Sequence, residues 1–408
     1  MRASAPALLA ALALGGTLTG CRAHPNALSG LVTHPSAPPP GVVSLVTKNT
    51  TRIGGADPVS DAAAVARVVY PGLTSATRPA AVALVNDADW PAAIAASELA
   101  GGALGAPLLY AEGNSLPSSS EQALLRVRPR GAAALGASQV IEIGTSARVP
   151  RGYRVLRVPA AIEPAAEVAA IERVYERARG GAPHQVIVLA AGSPRALQMP
   201  AAGLSAESGA PILFITSAAV PAATAAVLAR LHRPAIFLLG AGAVAAPTLK
   251  ALGRLGSVTA VSAGAGSGST PSAAEQANPV DNAIAVSRFG AGSFGWNIHE
   301  AGHGLAFADA AQPLDAPAAA PLSASGDYAP LLLLEGGASL PSALAAYLSD
   351  IEPGYSEAVP AVRGVYNHGW LIGGEAQISA HVQAEIDALL EISPGKAAPE
   401  EGSVAPAE

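Results

Sequence analysis

An Ala-Pro step that leads into an apolar run occurs three times and decides the fold of this chain. The copies are Ala106-Pro107-Leu108-Leu109, Ala210-Pro211-Ile212-Leu213 and Ala329-Pro330-Leu331-Leu332. Their prolines are 104 and 119 residues apart. An apolar-Pro-small step follows each copy, at Leu116-Pro117-Ser118, Val220-Pro221-Ala222 and Leu340-Pro341-Ser342. The second set of prolines is 104 and 120 residues apart, so the two markers move together and indicate three copies of one unit.

A third marker lies upstream of each copy and predicts the start of a helix. It reads Asp57-Pro58-Val59-Ser60-Asp61, Glu163-Pro164-Ala165-Ala166-Glu167 and Asn278-Pro279-Val280-Asp281-Asn282. Proline suits the first helical position, because its missing N–H costs nothing there. Asp or Asn before the proline can cap free amide groups, and an acid in the first turn suits the helix dipole. These residues therefore indicate caps rather than catalytic groups.

Between the markers, continuous apolar runs alternate with helical patterns. The runs are near Ala81–Asn86, Pro107–Ala111 and Gln139–Ile143, near Gln185–Ala190, Pro211–Thr216 and Ala235–Leu239, and near Gly304–Ala308, Pro330–Leu334 and Gly369–Ile372. Parallel strands that are covered on both faces have this pattern. The chain is therefore predicted to be an α/β protein of three tandem small repeats, each of about 100 residues, with mainly parallel sheets.

Several of these segments resemble bacterial cell-wall-binding repeats of the second type. The opening of that family is matched by Arg52-Ile53-Gly54-Gly55-Ala56-Asp57, and its closing turn by Ile372-Gly373-Gly374. Its helix start is matched by Trp90-Pro91-Ala92-Ala93-Ile94 and by Pro313-Leu314-Asp315-Ala316. The resemblance extends over about residues 48–392, nearly the whole chain after the N-terminal segment.

The resemblance implies both an architecture and a ligand. Members of the family pack three repeats around a pseudo-threefold axis and bind anionic polymers of the cell wall. Arg52 and Asp315 stand in the matching motifs and are therefore expected to bind ligand. The chain departs from the family at Pro58-Val59, which replaces an Arg-Tyr pair. The helix-start aspartate is missing from the first two units, and the second unit keeps little of the opening.

Aromatic residues cluster in the third unit. Tyr355, Tyr366, His368 and Trp370 lie there, and Tyr366-Asn367-His368-Gly369-Trp370 leads into the last predicted strand. An aromatic ring offers an apolar face, and Tyr and Trp add a polar group. Tyr366, His368 and Trp370 are therefore predicted to contact a sugar polymer. The alternative is that these residues pack in the core or in a loop.

The segment His299-Glu300-Ala301-Gly302-His303 matches the His-Glu-X-X-His pattern of zinc proteases. That pattern needs a helix, which directs both imidazoles at one metal ion. Glycines at positions 290, 292, 295, 302 and 304 crowd the segment, and glycine disfavours a helix. The segment is therefore predicted to be a loop that enters a strand, without a metal.

Two glycine-rich segments are also interpreted as structural. Gly240–Ala245 follows a strand as a dinucleotide fingerprint does, but the acid expected about 20 residues later is missing. The same strand-to-glycine step recurs at Ile143-Gly144 and Ile372-Gly373, which predicts a repeated turn. Gly264–Ser269 lacks the Gly-Lys-Ser/Thr ending of a phosphate-binding loop and is predicted to be a linker. No Gly-X-Ser-X-Gly elbow occurs, so we predict a non-enzymatic protein without a cofactor.

The N-terminus has the features of an exported lipoprotein. Arg2 is followed by an apolar run over residues 7–14, and small residues precede Cys21. The run is shorter than the roughly 20 apolar residues that span a bilayer. Leu18-Thr19-Gly20-Cys21 resembles the bacterial lipobox, in which the cysteine sulfur receives diacylglycerol and the peptide is cut before it. Cys21, the only cysteine, is therefore predicted to carry a lipid on the outer face of the cell membrane. An ordinary signal peptide with a chance cysteine is the alternative.

These features divide the chain into six predicted segments. They are a signal peptide (1–20), a lipidated proline-rich tether (21–47), three repeats (48–150, 151–256 and 257–392) and a disordered tail (393–408). A net charge of −6 and the lack of a Lys or Arg run argue against nucleic acid as a partner. We expect the partners to be the membrane, through the lipid, and an anionic wall polymer or another surface glycan. Two alternative hypotheses are a small-ligand-binding lipoprotein that serves a transporter or sensor, and a zinc hydrolase based on His299 and His303.

Overall fold

A computed structural model describes residues 42–102, 104–261, 278–324, 328–355 and 365–394. The predicted signal peptide, Cys21, most of the predicted tether and the predicted linker at 264–269 lie outside the described residues. The predicted tail lies outside them after Pro394. None of the described helices is both long enough and apolar enough to cross a membrane.

Strands and helices alternate along most of the described chain. The strands are β1 (Val42–Val46), β2 (Thr50–Gly54), β3 (Val82–Asn86), β4 (Leu108–Ala111), β5 (Val140–Ile143), β6 (Val155–Val158), β7 (Gln185–Ala190), β8 (Ile212–Ile215), β9 (Ala235–Leu239), β10 (Ser257–Val261), β11 (Gly304–Asp309), β12 (Leu331–Leu334), β13 (Gly354–Tyr355), β14 (His368–Ile372) and β15 (Ser393–Pro394). The helices are α1 (Pro58–Val69), α2 (Trp90–Ala95), α3 (Ser118–Val127), α4 (Pro164–Arg179), α5 (Arg195–Gln198), α6 (Pro200–Ser208), α7 (Ala222–Arg230), α8 (Ala246–Leu255), α9 (Pro279–Arg288), α10 (Asp315–Ala324), α11 (Ser342–Asp350) and α12 (Ala380–Leu389).

Three main sheets share one plan within the described parts of the chain. Their strand orders are β4-β3-β5-β6, β8-β7-β9-β10 and β12-β11-β14-β2-β1. Neighbouring strands are parallel, except that β1 is antiparallel to β2. Each of the predicted strands is present, and the predicted α/β class with mainly parallel sheets is confirmed.

The sequence prediction missed the fourth strand of each sheet, and this strand crosses a predicted repeat boundary. β6 pairs with β5, and β10 pairs with β9, although β6 and β10 stand in the following predicted repeat. In the third sheet, β2 takes the same place and pairs with β14, with Thr51 opposite Trp370. β10 is largely exposed, and an arginine interrupts β6. β2 contains two threonines and an arginine, so no long apolar run marks these three strands.

Both ends of the described chain differ from their predictions. Val42–Val46, predicted as the end of the tether, forms β1 and covers the outer edge of β2. Three valines in this segment favour a strand, because β-branched side chains suit a pleated surface. The predicted tail begins with β15, which pairs with β13 through Ser393 opposite Gly354.

The helix-start prediction is confirmed at α1, α4 and α9, which each begin with the expected proline. The Asp57 side chain accepts a hydrogen bond from the N–H of Ser60, and Asn278 caps the first amides of α9. Glu163 makes no such bond to α4 in the described structure. Each of these three helices follows the strand at the fourth position of one sheet. It leads to β3, β7 or β11, which stand at the second position of their own sheets.

Small residues allow the three layers to meet closely. Ala100 ends a 3₁₀ turn after α2, and it packs with Ala206 of α6 and Ala320 of α10 in one buried cluster. A Cβ atom on Gly101 would lie 2.1 Å from the carbonyl oxygen of Ala206, so glycine permits this approach of two backbones. Each of the three alanines lies in the helical segment that precedes one of the three Ala-Pro steps. The pseudo-threefold axis itself stays a prediction.

Replacing Ala206 by leucine should lower the free energy of unfolding by about 1–3 kcal/mol, because a close-packed junction has no room for the extra carbons. Ala229→Leu is the matched control, since Ala229 is exposed on α7, and we expect a change within about 0.5 kcal/mol. Urea titration followed by circular dichroism measures both values. Equal stability of the two variants would contradict the close packing of the three layers.

Candidate functional site

Two aromatic residues of β14 contact each other on one face of the third sheet. The ring centroids of His368 and Trp370 are 4.8 Å apart, and the ring planes are inclined by 66°. The Nε2 atom of His368 lies 3.1 Å from Oγ1 of Thr51, so strand β2 forms part of this surface. Tyr366 precedes β14 and is 57% exposed. We call Tyr366, His368 and Trp370 the aromatic surface.

Asn367 lies between Tyr366 and His368, and it joins the aromatic surface to the loop that carries the zinc-protease pattern. Its side chain accepts hydrogen bonds from the N–H groups of Gly302 and His303, at 2.8 and 3.1 Å, and donates to the carbonyl group of Ile351 at 2.8 Å. Asn367 is buried, and sequence reasoning missed it although it stands between two predicted site residues.

The loop prediction for the zinc-protease pattern is confirmed. His299 and His303 lie in an irregular segment that leads directly into β11, so the two imidazoles are not presented one helical turn apart. Burial lowers the pKa of His303, and the nearby Glu300 carboxylate partly opposes this effect. Within the described residues, no group of three or more His, Cys, Asp or Glu side chains could hold a metal ion.

Arg52 lies inside the third layer and is 1% exposed. Its guanidinium group donates to the side-chain oxygen of Gln383 at 3.0 Å and to the carbonyl groups of Gly373, Gly374 and Ser379 at 3.2, 3.0 and 3.4 Å. Burial lowers the pKa of Arg52, while the Glu375 carboxylate raises it. These bonds join β2 to the closing turn and to the start of α12. Arg52 therefore stabilises the third layer from inside, rather than lying on its surface where a ligand could reach it.

Asp315 is buried at the start of α10, close to Asp61 of α1. Burial raises the pKa of Asp61 to about 7, although the hydrogen bond from the Gly55 N–H opposes this shift. Burial and the Asp61 carboxylate raise the pKa of Asp315 well above its ordinary value. The pair therefore binds a proton more tightly than free carboxyl groups do. The structure thus places Asp315 where the first and third layers meet, away from the aromatic surface.

The second repeat has a related acid at the matching position. Glu167 follows its helix-start proline by three residues and accepts a hydrogen bond from the Ala161 N–H at 3.0 Å. Burial raises the pKa of Glu167, and the Asp89 carboxylate adds to the shift. The third repeat has Asn282 instead, which donates to the carbonyl group of Leu197 at 2.9 Å. A polar residue three positions after each of these prolines is the signal in the sequence that could have located these junction residues.

The interpretation of the glycine fingerprint as a repeated turn is confirmed. Gly240 follows β9 with a φ of 74° and leads through a 3₁₀ turn into α8. Gly144 follows β5 and Gly373 follows β14, with φ values of 63° and 108°. The residue after the third strand of each sheet therefore has a positive φ. Glycine adopts such a conformation without steric cost, because it has no Cβ atom.

Two solved structures share this mixed α/β architecture with mainly parallel sheets. Cwp8 from Clostridium difficile matches with a TM-score of 0.60 and 18% identity, over 84% of this chain and 52% of that chain. Cwp6 from Clostridium difficile matches with a TM-score of 0.61 and 17% identity, over 85% of this chain and 50% of that chain. The chain spans about half the length of these two proteins, and identities this low show a likeness of fold alone. No protein-family model and no curated protein matches the sequence.

The Asp61–Asp315 pair makes stability depend on pH. Because Asp61 binds its proton more tightly in the folded chain than in the unfolded chain, its contribution to stability is lost as the pH rises from about 4 to about 7. Asp61→Asn keeps an acceptor for the Gly55 N–H and cannot ionise, as at Asn282 in the third repeat. Between about pH 4 and pH 8, we expect the free energy of unfolding to fall by about 1–3 kcal/mol more for the parent than for Asp61→Asn.

Urea titrations across this pH range measure the difference. Other buried acids, including Glu167, are common to both proteins, so the comparison isolates the junction pair. Asp281→Asn, at a partly exposed position, serves as the control and should follow the pH profile of the parent. Parallel profiles for the parent and Asp61→Asn would show that the junction pair is not protonated in the folded protein.

Proposed function

We propose that this chain is a cell-surface protein that binds cell-wall polymer without catalysis, and that a lipid on Cys21 holds it to the outer face of the membrane. The observation that carries the proposal is the fold that it shares with Cwp8 and Cwp6, which are cell-wall proteins. The threefold sequence pattern supports it separately, because its motifs resemble cell-wall-binding repeats.

The aromatic surface is the proposed contact for the sugar rings of the polymer. Tyr366 is exposed, and His368 and Trp370 are half-buried, so their rings are both accessible and supported from beneath. Asn367 fixes the backbone between these rings through three hydrogen bonds. A surface that is ordered before binding loses little conformational entropy when a ligand arrives.

The absence of catalysis is part of the proposal and draws support from two placements. The segment with the protease pattern is a loop, so Glu300 and the two histidines lack the helical spacing that the zinc mechanism uses. The acids with raised pKa values, Asp61, Asp315 and Glu167, are buried where they hold the repeats together. A substrate would reach them only if the layers separated.

Replacing both Tyr366 and Trp370 by alanine should weaken wall binding by at least about fivefold, because each aromatic contact contributes about 0.5–1.5 kcal/mol. Sedimentation with purified cell walls, before and after extraction of their anionic polymer, measures this binding. We expect the parent to sediment with untreated walls and the double variant to stay largely in the supernatant.

The control for this experiment is the pair Tyr366→Phe and Trp370→Phe, which keeps an aromatic ring at both positions. The indole Nε1 of Trp370 has no hydrogen-bond partner among the described residues, so phenylalanine there removes no bond. The control should bind as the parent does. A folded double-alanine variant that binds equally well would remove the aromatic surface from the proposal, and failure of the parent to bind any walls would remove wall binding itself.

The proposed anchor gives a separate prediction. Cys21→Ser should move the protein from the membrane fraction to the culture medium or the wall, because serine cannot form the thioether that carries the lipid. Mass spectrometry of the parent should find an N-terminal peptide that begins with diacylated Cys21. Recovery of Cys21→Ser in the membrane fraction at the level of the parent would contradict lipid anchoring.

A further inference from the structure

Exposed arginines collect at the end of the first sheet where its strands begin. Residues 122–162 contain seven arginines and a single acid, Glu142. Five of these arginines lie where α3 ends and where β5 and β6 begin, and we call them the basic face: Arg126, Arg128, Arg130, Arg151 and Arg154. All five are exposed. The net charge of −6 therefore conceals a strongly positive region.

The segment between α1 and β3 adds to this region. Arg128 donates to a backbone carbonyl group in that segment at 2.7 Å, and Arg130 donates to the carbonyl group of Arg78 at 3.2 Å. Arg67, in the last turn of α1, lies close enough to Arg126 for the two positive charges to interact. Residues 62–86, which contribute Arg67 and Arg78, include no acid.

The arginines of the basic face lack acidic partners in the part of the chain that the structure describes. Within the described residues, no carboxylate lies within ion-pair distance of the five guanidinium groups. Other arginines do have such partners, since Arg157 pairs with Glu142 and Arg288 pairs with Asp350. Like charges that are held together repel one another, so an anion bound among them would relieve a cost that the free protein carries.

The fold does not require arginine at these positions. In the third repeat, the end of α11 and the turn after it carry Asp350 and Glu352, where the end of α3 and the turn after it carry Arg126 and Arg128. The two turns match because a buried leucine precedes each of them and a proline follows, at Pro129 and Pro353. The backbone differs between the two turns, since Arg128 has a left-handed conformation and Glu352 does not. Each helix nevertheless ends before a proline with charges of opposite sign, so the helix end by itself does not dictate arginine in the first repeat.

A groove of about 490 Å³ continues from the basic face along β6. One wall is the edge strand itself, from Leu156 to Pro159, and the other wall is the face of α4 that carries Arg173 and Arg177. The groove begins two residues after Arg154. A chain-like ligand that crosses the basic face could therefore extend into it and meet further arginines. The acid that also lines the groove, Glu176, is paired with Arg230.

We propose that the basic face and the adjoining groove bind an anionic polymer, with arginine side chains holding its phosphate or carboxylate groups. A guanidinium group binds either anion with two parallel hydrogen bonds. Among the described residues, few acceptors face the basic face, so each of its arginines keeps most of its donors available. The identification of this polymer as a wall component rests on the proposed function. The aromatic surface would contact sugar rings, whereas the basic face would contact charges.

The test is the triple variant Arg126→Gln/Arg128→Gln/Arg154→Gln of the chain without its signal peptide. The probes are poly(glycerol phosphate) and polygalacturonate, which present phosphate and carboxylate groups respectively. We expect the parent to bind at least one of them and the variant to bind it at least about tenfold more weakly, because several charge-assisted contacts are lost. The polymer that shows this loss identifies the anionic group. Added salt should weaken binding of the parent, because it screens exposed charges.

The matched control is Arg195→Gln/Lys250→Gln/Arg254→Gln, which removes three exposed positive charges from the second layer. It should bind as the parent does, and circular dichroism should show the same melting temperature for all three proteins. Equal loss in the control would reduce the effect to net charge and overturn the proposal. Three other results would also overturn the proposal. The triple variant could bind as the parent does, the parent could bind neither polymer, or the parent could bind double-stranded DNA more tightly at equal charge concentration.

The outcome also separates this proposal from the proposed function. If walls retain the parent and the triple variant equally but do not retain the Tyr366→Ala/Trp370→Ala variant, the wall function stands and the basic face is removed from it. Purified polymer that binds in an arginine-dependent way, together with walls that do not retain the parent, would keep the basic face and remove the wall function.

Discussion

The pairing of β2 with β14 is the contact on which the described structure depends, because it joins the start of the described chain to its last layer. Thr50 and Arg52 point into that layer, where Gln383 of α12 bonds to both of them at 3.0 Å. The neighbouring turn is held in the same way, since the Asp387 carboxylate accepts a hydrogen bond from the N–H of Asn49 at 2.7 Å. β1 then covers the outer edge of β2, which would otherwise present unpaired backbone groups.

This closure follows a rule that all three layers obey. In each sheet the fourth strand is the last described strand before a helix-start proline, and the following helix carries the chain to the next sheet. Consecutive layers are therefore linked by shared segments as well as by packing. The acids Asp61 and Glu167 lie in the first turn of two of these helices, so the links between layers include carboxyl groups that are protonated more readily than usual.

Charge is distributed unevenly over the first layer. Its carboxyl end meets the buried acids of the layer junctions, whereas its amino end carries the basic face, which no described carboxylate neutralises. The third layer differs, since it has the aromatic surface and the acidic turn with Asp350 and Glu352. Under the proposed function, the repeats share one fold but bind different parts of the polymer. The third layer would contact its sugar rings, and the first layer would contact its anionic groups.

The sequence by itself determined the repeated units, the strands that form the first three positions of each sheet, and the helix starts. These features depend on local chemistry, such as a proline at the first helical position or an apolar run that is long enough for a buried strand. The loop around His299 and His303 was predictable for the same reason, because closely spaced glycines disfavour a helix whatever surrounds them.

Only the tertiary structure decided the partners of β2, the internal position of Arg52, and the contact between Asp61 and Asp315. Arg52 and its partner Gln383 are 331 residues apart, and nothing in the local sequence of a short polar strand states which sheet it joins. The same limit applied to the basic face, whose arginines stand singly in the sequence. They became a single surface only because the ends of α1 and α3 and the start of β6 come together at one end of the first sheet.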